Sequence, residues 1–176
     1  MSASLRIHGT PRSFEPCAPA LRACAPLLLR AVVGFGLVMH GYAKLARGPD
    51  TFAVVLHTLG APFPDVLAWL TTFVELIGGL AVLAGAFLPL VSIPLAIVLL
   101  TAMFTVHRPY GFFSVKLLAV TSTGTTFGPV GYEIILLYLA GLGALALGGA
   151  GPLSVDRWRA SASARPSAWA QRFREA

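Results

Sequence analysis

The chain reads as an all-α integral membrane protein: a bundle of four transmembrane helices with a short interfacial helix between spans one and two. Three observations predict it. Hydrophobic residues fill 56% of the 176 positions and charged residues 11%, against roughly 25% charged in soluble domains. The apolar residues gather into four stretches, Ala25–Leu45, Val66–Leu88, Leu90–Val106 and Gly131–Gly149, each near the ~20 residues of a helix that crosses a bilayer. Each stretch also holds or borders ionisable residues: Arg30, His40 and Lys44, then Glu75, then His107, then Glu133. Lipid excludes such side chains, so they must face protein or a wet cavity. The length allows one domain, and no soluble catalytic domain fits beside four spans. Any activity belongs to the bundle or to a partner.

Taken in order, residues 1–24 hold Pro11, Pro16 and Pro19 and little periodicity; they are predicted to be an irregular cytoplasmic tail that turns helical from Pro19 onwards. Cys17 and Cys24 lie seven apart, which is not a CxxC spacing. They read as two incidental reduced thiols, with a redox pair as the alternative. The first span lacks a small-residue cleavage site beyond it and is expected to act as an uncleaved anchor. It ends near Ala46, before Gly48-Pro49-Asp50. Phe52, Val55, Leu56 and Leu59 then recur at helical spacing in Thr51–Leu59, a segment too short to span and stopped by Gly60, Pro62 and Pro64; this is the interfacial helix. Asp65 is the candidate cap of span two, and Pro89 its end. Span three follows at once, with Pro94 expected in its first turn, where a missing N–H is tolerated. The loop Arg108–Val130 is rich in Gly, Thr and Pro, and its apolar middle, Phe112–Val120, is expected to be re-entrant or interfacial. Span four closes at Gly148-Gly149-Ala150-Gly151-Pro152. The domain layout is therefore a tail 1–24, a membrane domain 25–152 and a basic tail 153–176.

The net charge of +6 follows from topology. Arg6, Arg12, Arg22, Arg157, Arg159, Arg165, Arg172 and Arg174 lie on the side of the two tails, eight against the four of Lys44, Arg47, Arg108 and Lys116 on the other. An even number of spans then puts both termini in the cytoplasm. The basic residues flank apolar spans and form no separate domain, so nucleic acid is not an expected partner; the bilayer is. Trp158, Trp169 and Phe173 among the C-terminal arginines suit the headgroup layer.

At 1.5 Å per residue, His40 lies roughly 7 Å and Glu75 about 14 Å inside the outer ends of their spans, with Lys44, His107 and Glu133 close to that surface. Arg30 is the exception, roughly 20 Å below it. Arg30, His40 and Lys44 share one arc of the first helix, bordered by Gly34 and Gly41; Gly79 and Ala86 share the face of Glu75; Ala140, Ala144 and Gly148 share that of Glu133. Small residues let membrane helices approach closely, so the polar faces are also the packing faces. His40, Glu75, His107 and Glu133 are the candidate catalytic residues, and Arg30, Lys44 and Glu75 the candidate ligand-binding ones. His and Glu can exchange protons with a quinone ring, and Lys44 can hold an anionic ring oxygen. A single Zn, Cu or Fe ion, a haem between His40 and His107, a permeation path and a purely structural salt-bridged core stay open beside the quinone. Neither Glu is followed by His three residues on, as a di-iron bundle needs. No nucleophile elbow, Walker loop, dinucleotide fingerprint or HExxH is present.

The ordered motifs resemble the DoxX family of small bacterial membrane proteins: Arg30-x3-Gly34 and His40-Gly41-x2-Lys44-Leu45, Glu75-x2-Gly78-Gly79 with Gly85, His107 followed by Gly111-Phe112-Phe113, Gly131-x-Glu133, and the tail Gly151-Pro152-Leu153-Ser154-Val155-Asp156. That tail is shorter than the family's Gly-Pro-Gly-x-x-Ser-x-Asp ending and lacks its second Gly. The resemblance covers roughly residues 26–157. It implies a four-helix protein of the bacterial inner membrane that acts as an accessory subunit of a redox system. A protein partner in a redox complex is implied, and a homo-oligomer is compatible with it. The alternative is a non-enzymatic scaffold or assembly protein whose buried polar cluster is structural.

Overall fold

The computed structural model describes residues 19–163. The expectations for residues 1–18, including Cys17, and for Arg165, Trp169, Arg172, Phe173 and Arg174 fall outside them. The described chain is mostly helical: α1 (Pro19–Arg47), α2 (Pro49–Thr58), α3 (Pro64–Ala84), α4 (Leu88–Ala102), a hairpin of β1 (Leu117–Thr121) and β2 (Gly124–Phe127), α5 (Glu133–Gly148) and α6 (Val155–Ser163). α4 continues through a π-helical turn, Met103–His107, and a 3₁₀ turn, Arg108–Tyr110.

Three stretches are long and apolar enough to cross a bilayer: Cys24–Arg47, Pro64–Ala84 and Leu88–Tyr110. The fourth apolar helix, α5, has 16 residues, about 24 Å of rise against a hydrocarbon core of about 30 Å. The expected fourth span is therefore present as a shorter apolar helix. The chain is a membrane protein, with Val32, Phe35, Ile77, Leu90 and Leu137 among the apolar side chains on its outer surface.

α1 packs chiefly on α3, and α4 on α5 and α3. Glycine sets the α1–α3 distance. A Cβ on Gly34 would lie 2.9 Å from the Gly79 carbonyl oxygen, and one on Gly79 would lie 2.8 Å from the Val38 nitrogen. The two backbones touch, as the small-residue faces predict. Between the helices lie Val33, Leu37, Val82, Leu95, Ile135, Leu142 and Leu145, all buried.

Several boundaries differ from the sequence reading. α3 stops at Ala84, not at Pro89, because Gly85 takes φ +66° and the Ala86 N–H reaches back to the Ala81 carbonyl, a left-handed C-terminal cap. Pro89 instead sits in the first turn of α4, where its fixed φ suits a helix start. Pro94 is the seventh residue of α4 and not part of its first turn, so the Leu90 carbonyl loses its i+4 donor. Asp65 is inside the first turn of α3 and caps nothing with its side chain; Phe63, at φ +49°, holds the cap position before Pro64. The carboxylate still opposes the positive end of the helix dipole. The short helix after span one begins at Pro49, directly after Gly48 at φ +83°. Of the apolar loop segment Phe112–Val120, the part from Leu117 onwards forms β1, which pairs antiparallel with β2 across a turn at Ser122–Thr123, and both strands are exposed.

Candidate functional site

The polar residues predicted to converge separate into three groups. The first is at the end of the bundle where α1 begins and α3 and α5 finish. Arg30 is 3% exposed. Its Nε donates to the carbonyls of Val82 and Leu83, both at 3.2 Å, its Nη2 to Leu83 at 2.5 Å, and its Nη1 to Ala150 at 3.0 Å and Leu153 at 2.6 Å. Val82 and Leu83 belong to the last turn of α3, and Ala150 and Leu153 to the segment that follows α5, so the cation meets the negative ends of two helix dipoles. Arg30, expected to bind ligand, thus has its guanidinium occupied by backbone. The Gly151–Asp156 tail completes this corner. The Asp156 N–H donates to the Gly85 carbonyl, and its carboxylate accepts from the N–H groups of Phe87 and Leu88. Gly85 admits the Arg30 guanidinium, whose Cζ would lie 2.7 Å from a Cβ placed there.

The second group, at the opposite end, is a clasp between two loops. Glu133 Oε2 accepts from the Ser114 N–H at 3.1 Å, and the Ser114 hydroxyl accepts from the Ile134 N–H at 3.1 Å. This is a cap of α5 built from a residue twenty positions away, and it puts the carboxylate at the positive end of the helix. Gly131 and Tyr132 donate to the carbonyls of Phe113 and Gly111 in the same clasp. His107 Nδ1 lies 2.9 Å from the Val130 carbonyl oxygen. A carbonyl oxygen only accepts, so Nδ1 carries the proton in this contact. Glu133 and His107 are held by loop backbone, and among the described residues neither pairs with Lys44 or Glu75.

The third group lies between α1, α2 and α3. Lys44 Nζ is 2.7 Å from Glu75 Oε2, with 19% and 7% of the two side chains exposed. The same ammonium stands 4.6 Å from the centre of the Phe52 ring of α2, so one side chain ties three helices together. The sequence put Glu75 well below Lys44. The pair meets because a Cβ on Gly41 would lie 3.0 Å from the Thr72 carbonyl and 2.9 Å from the Leu76 nitrogen. This register carries the start of α3 beyond the end of α1.

His40, one turn before Lys44, is exposed on the outside of α1. Its ring meets that of Tyr138 edge-on, centroids 6.1 Å apart. Tyr138 rests over Gly36, where a Cβ would collide with its hydroxyl. An open groove of about 880 Å³ runs along this face, lined by Val32, Phe35, Gly36, Met39, His40, Leu83 and Tyr138 among others. A smaller pocket of about 270 Å³ lies beyond it beneath α2, lined by His40, Ala43, Lys44, Arg47, Gly48, Thr51, Phe52 and Val55. His40 and Ala43 border both. Sequence reasoning missed Tyr138, Phe52 and Arg47. Tyr138 breaks an otherwise aliphatic helix, which is the one signal it gave.

Among the described residues no three His, Cys, Asp or Glu side chains converge closely enough to hold a metal ion. The single-metal expectation thus lacks a donor set there, and each of the two imidazoles has a neighbour of its own. What the third group offers is an apolar trough with an aromatic hydroxyl and an imidazole on its wall, and an adjoining smaller pocket bordered by the Lys44 of the ion pair. That arrangement suits a flat apolar ligand that exchanges protons at its polar edge.

Residues 25–108 match the family model described as DoxX. The match covers just under half of the chain, from α1 to the π-helical turn, and stops short of the 157 to which the motif resemblance reached. No curated protein and no solved structure matches the chain.

Proposed function

We propose that this membrane protein, DoxX over residues 25–108, is an accessory subunit of a redox system in the bacterial inner membrane. Both termini would lie in the cytoplasm, with α5 as the fourth crossing. The groove beside His40 would take a quinone-like ligand, or pass protons for one bound by a partner. The observation that carries this reading is the Lys44–Glu75 ion pair at 2.7 Å, whose Lys44 borders the smaller pocket that shares His40 and Ala43 with the trough. A buried charge pair in a span is expensive, and Lys44 of that pair lies one turn from the His40 imidazole on α1.

A quinone supplies two-electron, two-proton chemistry when bound. The chain's own residues have simpler tasks. The aliphatic wall from Val32 to Met39 excludes water and accepts an apolar ring and chain. His40 and the Tyr138 hydroxyl donate or accept a proton at the polar edge. Lys44 supplies positive potential, and Glu75 holds Lys44 in place. In this reading the electrons come from a partner protein. Purified protein titrated with a short-chain quinone tests the reading: wild type is expected to bind, and Glu75→Gln and His40→Ala to bind much more weakly. Equal weak binding in all three rejects the site.

A scaffold or assembly role is the second reading. It is favoured by Arg30, Glu133 and Asp156, each of which is engaged by backbone. On that reading Glu75→Gln and His40→Ala lower thermal stability, while the activity of the partner complex survives in whatever folds.

A further inference from the structure

We propose that the pocket between the end of α1 and the start of α2 seats the phosphate of an anionic phospholipid, with Arg47 and Lys44 as its cationic walls. This goes beyond the quinone reading and does not depend on it, because it uses the pocket beneath α2 and not the wider groove. At about 270 Å³ the pocket is smaller than the roughly 300–1,000 Å³ that encloses a drug-sized ligand, and suits a headgroup.

Its charge is one-sided. His40, Lys44 and Arg47 line it, and no acidic residue does. Glu75 balances Lys44 from behind, which leaves Arg47 as the uncompensated cation. Its guanidinium has no hydrogen bond or ion pair among the described residues, so all its donors are available, in the fork geometry that matches phosphate oxygens. α2 begins on the same wall. Gly48 and Thr51 line the pocket, and the ten-residue helix adds the positive end of its dipole. Asp50 of that turn is exposed and is not among the lining residues.

A phospholipid fits better than a free anion because of position. Arg47 is the last residue of a stretch long enough to cross the bilayer. The pocket also runs through His40 and Ala43 into the apolar groove of Phe35 and Met39. An anion reaching it from the membrane brings chains that stay in lipid, and juxtamembrane Lys and Arg draw anionic headgroups.

The test uses the full chain in a neutral detergent. It is titrated with dioleoylphosphatidylglycerol, dioleoylphosphatidylcholine or sodium phosphate, with bound lipid read by native mass spectrometry. Phosphatidylglycerol is expected to bind more tightly than phosphatidylcholine. Arg47→Ala should weaken phosphatidylglycerol by roughly fivefold, the worth of one basic side chain at an anionic surface, and leave phosphatidylcholine unchanged. Arg47→Lys should keep most of the preference. Arg108→Ala removes an exposed cation outside the pocket and should change nothing. Equal affinity for the two lipids overturns the proposal, as does an Arg47→Ala protein that binds like wild type. The same loss in Arg108→Ala reduces the effect to general surface charge and also overturns it. Displacement of the lipid by equimolar inorganic phosphate would make this a site for free anions and end the lipid assignment.

Discussion

The carboxylate of Asp156 accepts a hydrogen bond from the Phe87 N–H at 2.8 Å, across 69 positions of sequence. It accepts a second from Leu88 at 3.2 Å. One side chain of α6 thus satisfies the first N–H groups of α4, where no local side chain caps the helix. Phe87 needs the support: at φ +52° it is a non-glycine residue in the left-handed region, and Arg159 stacks 4.3 Å over its ring. Replacing Asp156 by Ala removes a charge-assisted cap worth about 1–2 kcal/mol. The expected result is a lower melting temperature in detergent, with Asp156→Asn losing less because its amide oxygen still accepts. A melt unchanged in Asp156→Ala would show that the tail does not hold the α3–α4 turn.

Arg30 makes the same corner from the other side. Arg30→Lys keeps the charge but loses the fork, and Arg30→Ala leaves the carbonyls of Leu83, Ala150 and Leu153 short of donors. With buried acceptors costing about 1–3 kcal/mol each, Arg30→Ala is expected to reduce folded yield sharply and Arg30→Lys to fall between. Limited proteolysis after Ala150 reads the release of the tail directly. Because Arg30 is expected to act on structure alone, the Arg30→Lys protein that does fold should bind quinone as wild type does.

The α1–α3 contact makes a paired prediction about glycine. A methyl at Gly34 would press on the Gly79 carbonyl and the Leu83 nitrogen, at 2.9 and 2.8 Å, and backbone atoms do not yield as a side chain does. Gly34→Ala should destabilise by about 1–3 kcal/mol, the usual cost of overpacking. A Cβ on Gly143 of α5 meets nothing within 4 Å, so Gly143→Ala should be neutral or gain up to about 1 kcal/mol from helix propensity. Thermal melts of the two variants side by side are the check; equal loss in both would mean that glycine acts here through flexibility and not close approach.

Helices α1 to α5 were legible as apolar runs closed by Gly or Pro, and the α1–α3 face because its small residues share a helical phase; α6, a short polar helix in the basic tail, was not. The β-hairpin was not. Leu117–Thr121 is a continuous apolar run without alternation, and Ser122-Thr123 lacks the Asn-Gly or Asp-Gly signature of a tight turn. Helix phase brought Lys44 and Glu75 to one face, but depth counted from flush span ends put them apart. Only the packing of Gly41 against Thr72 and Leu76 supplies the offset that joins them. Asp156 was readable as part of the tail motif, and its role was not, since a cap reaching across 69 positions leaves no local pattern. The expected common cluster dissolved for the same reason. Glu133 and His107 found partners in loop backbone, whose course no periodicity foretells.

The clasp on α5 is testable at Ser114, which gives its N–H to Glu133 and takes that of Ile134. Ser114→Ala removes only the hydroxyl, and with it one capping bond worth roughly 1 kcal/mol. Glu133→Gln weakens the other and removes the favourable charge at the helix start. The two losses belong to one unit, so the double variant should cost less than the sum of the single ones. Amide hydrogen exchange at the start of α5 is the direct measure, and strict additivity would separate the two contacts.

The Lys44–Glu75 pair decides between a structural and a ligand-handling core, because the two readings diverge for the double variant. Removing one partner leaves a buried charge uncompensated, at about 3–5 kcal/mol, so Lys44→Met and Glu75→Leu should each be poorly stable. Replacing both with apolar residues of similar volume removes the pair and its desolvation cost together, and Lys44→Met/Glu75→Leu is expected to recover much of the lost stability. A purely structural pair predicts that function returns with the fold. A site that needs the ammonium and the carboxylate predicts a stable protein that no longer binds quinone. Melting temperature and quinone affinity measured on the same double variant therefore give opposite answers under the two readings. The wild-type distance of 2.7 Å makes the coupling large enough to resolve, since contacting charges show interaction energies of about 0.5–3 kcal/mol in such cycles.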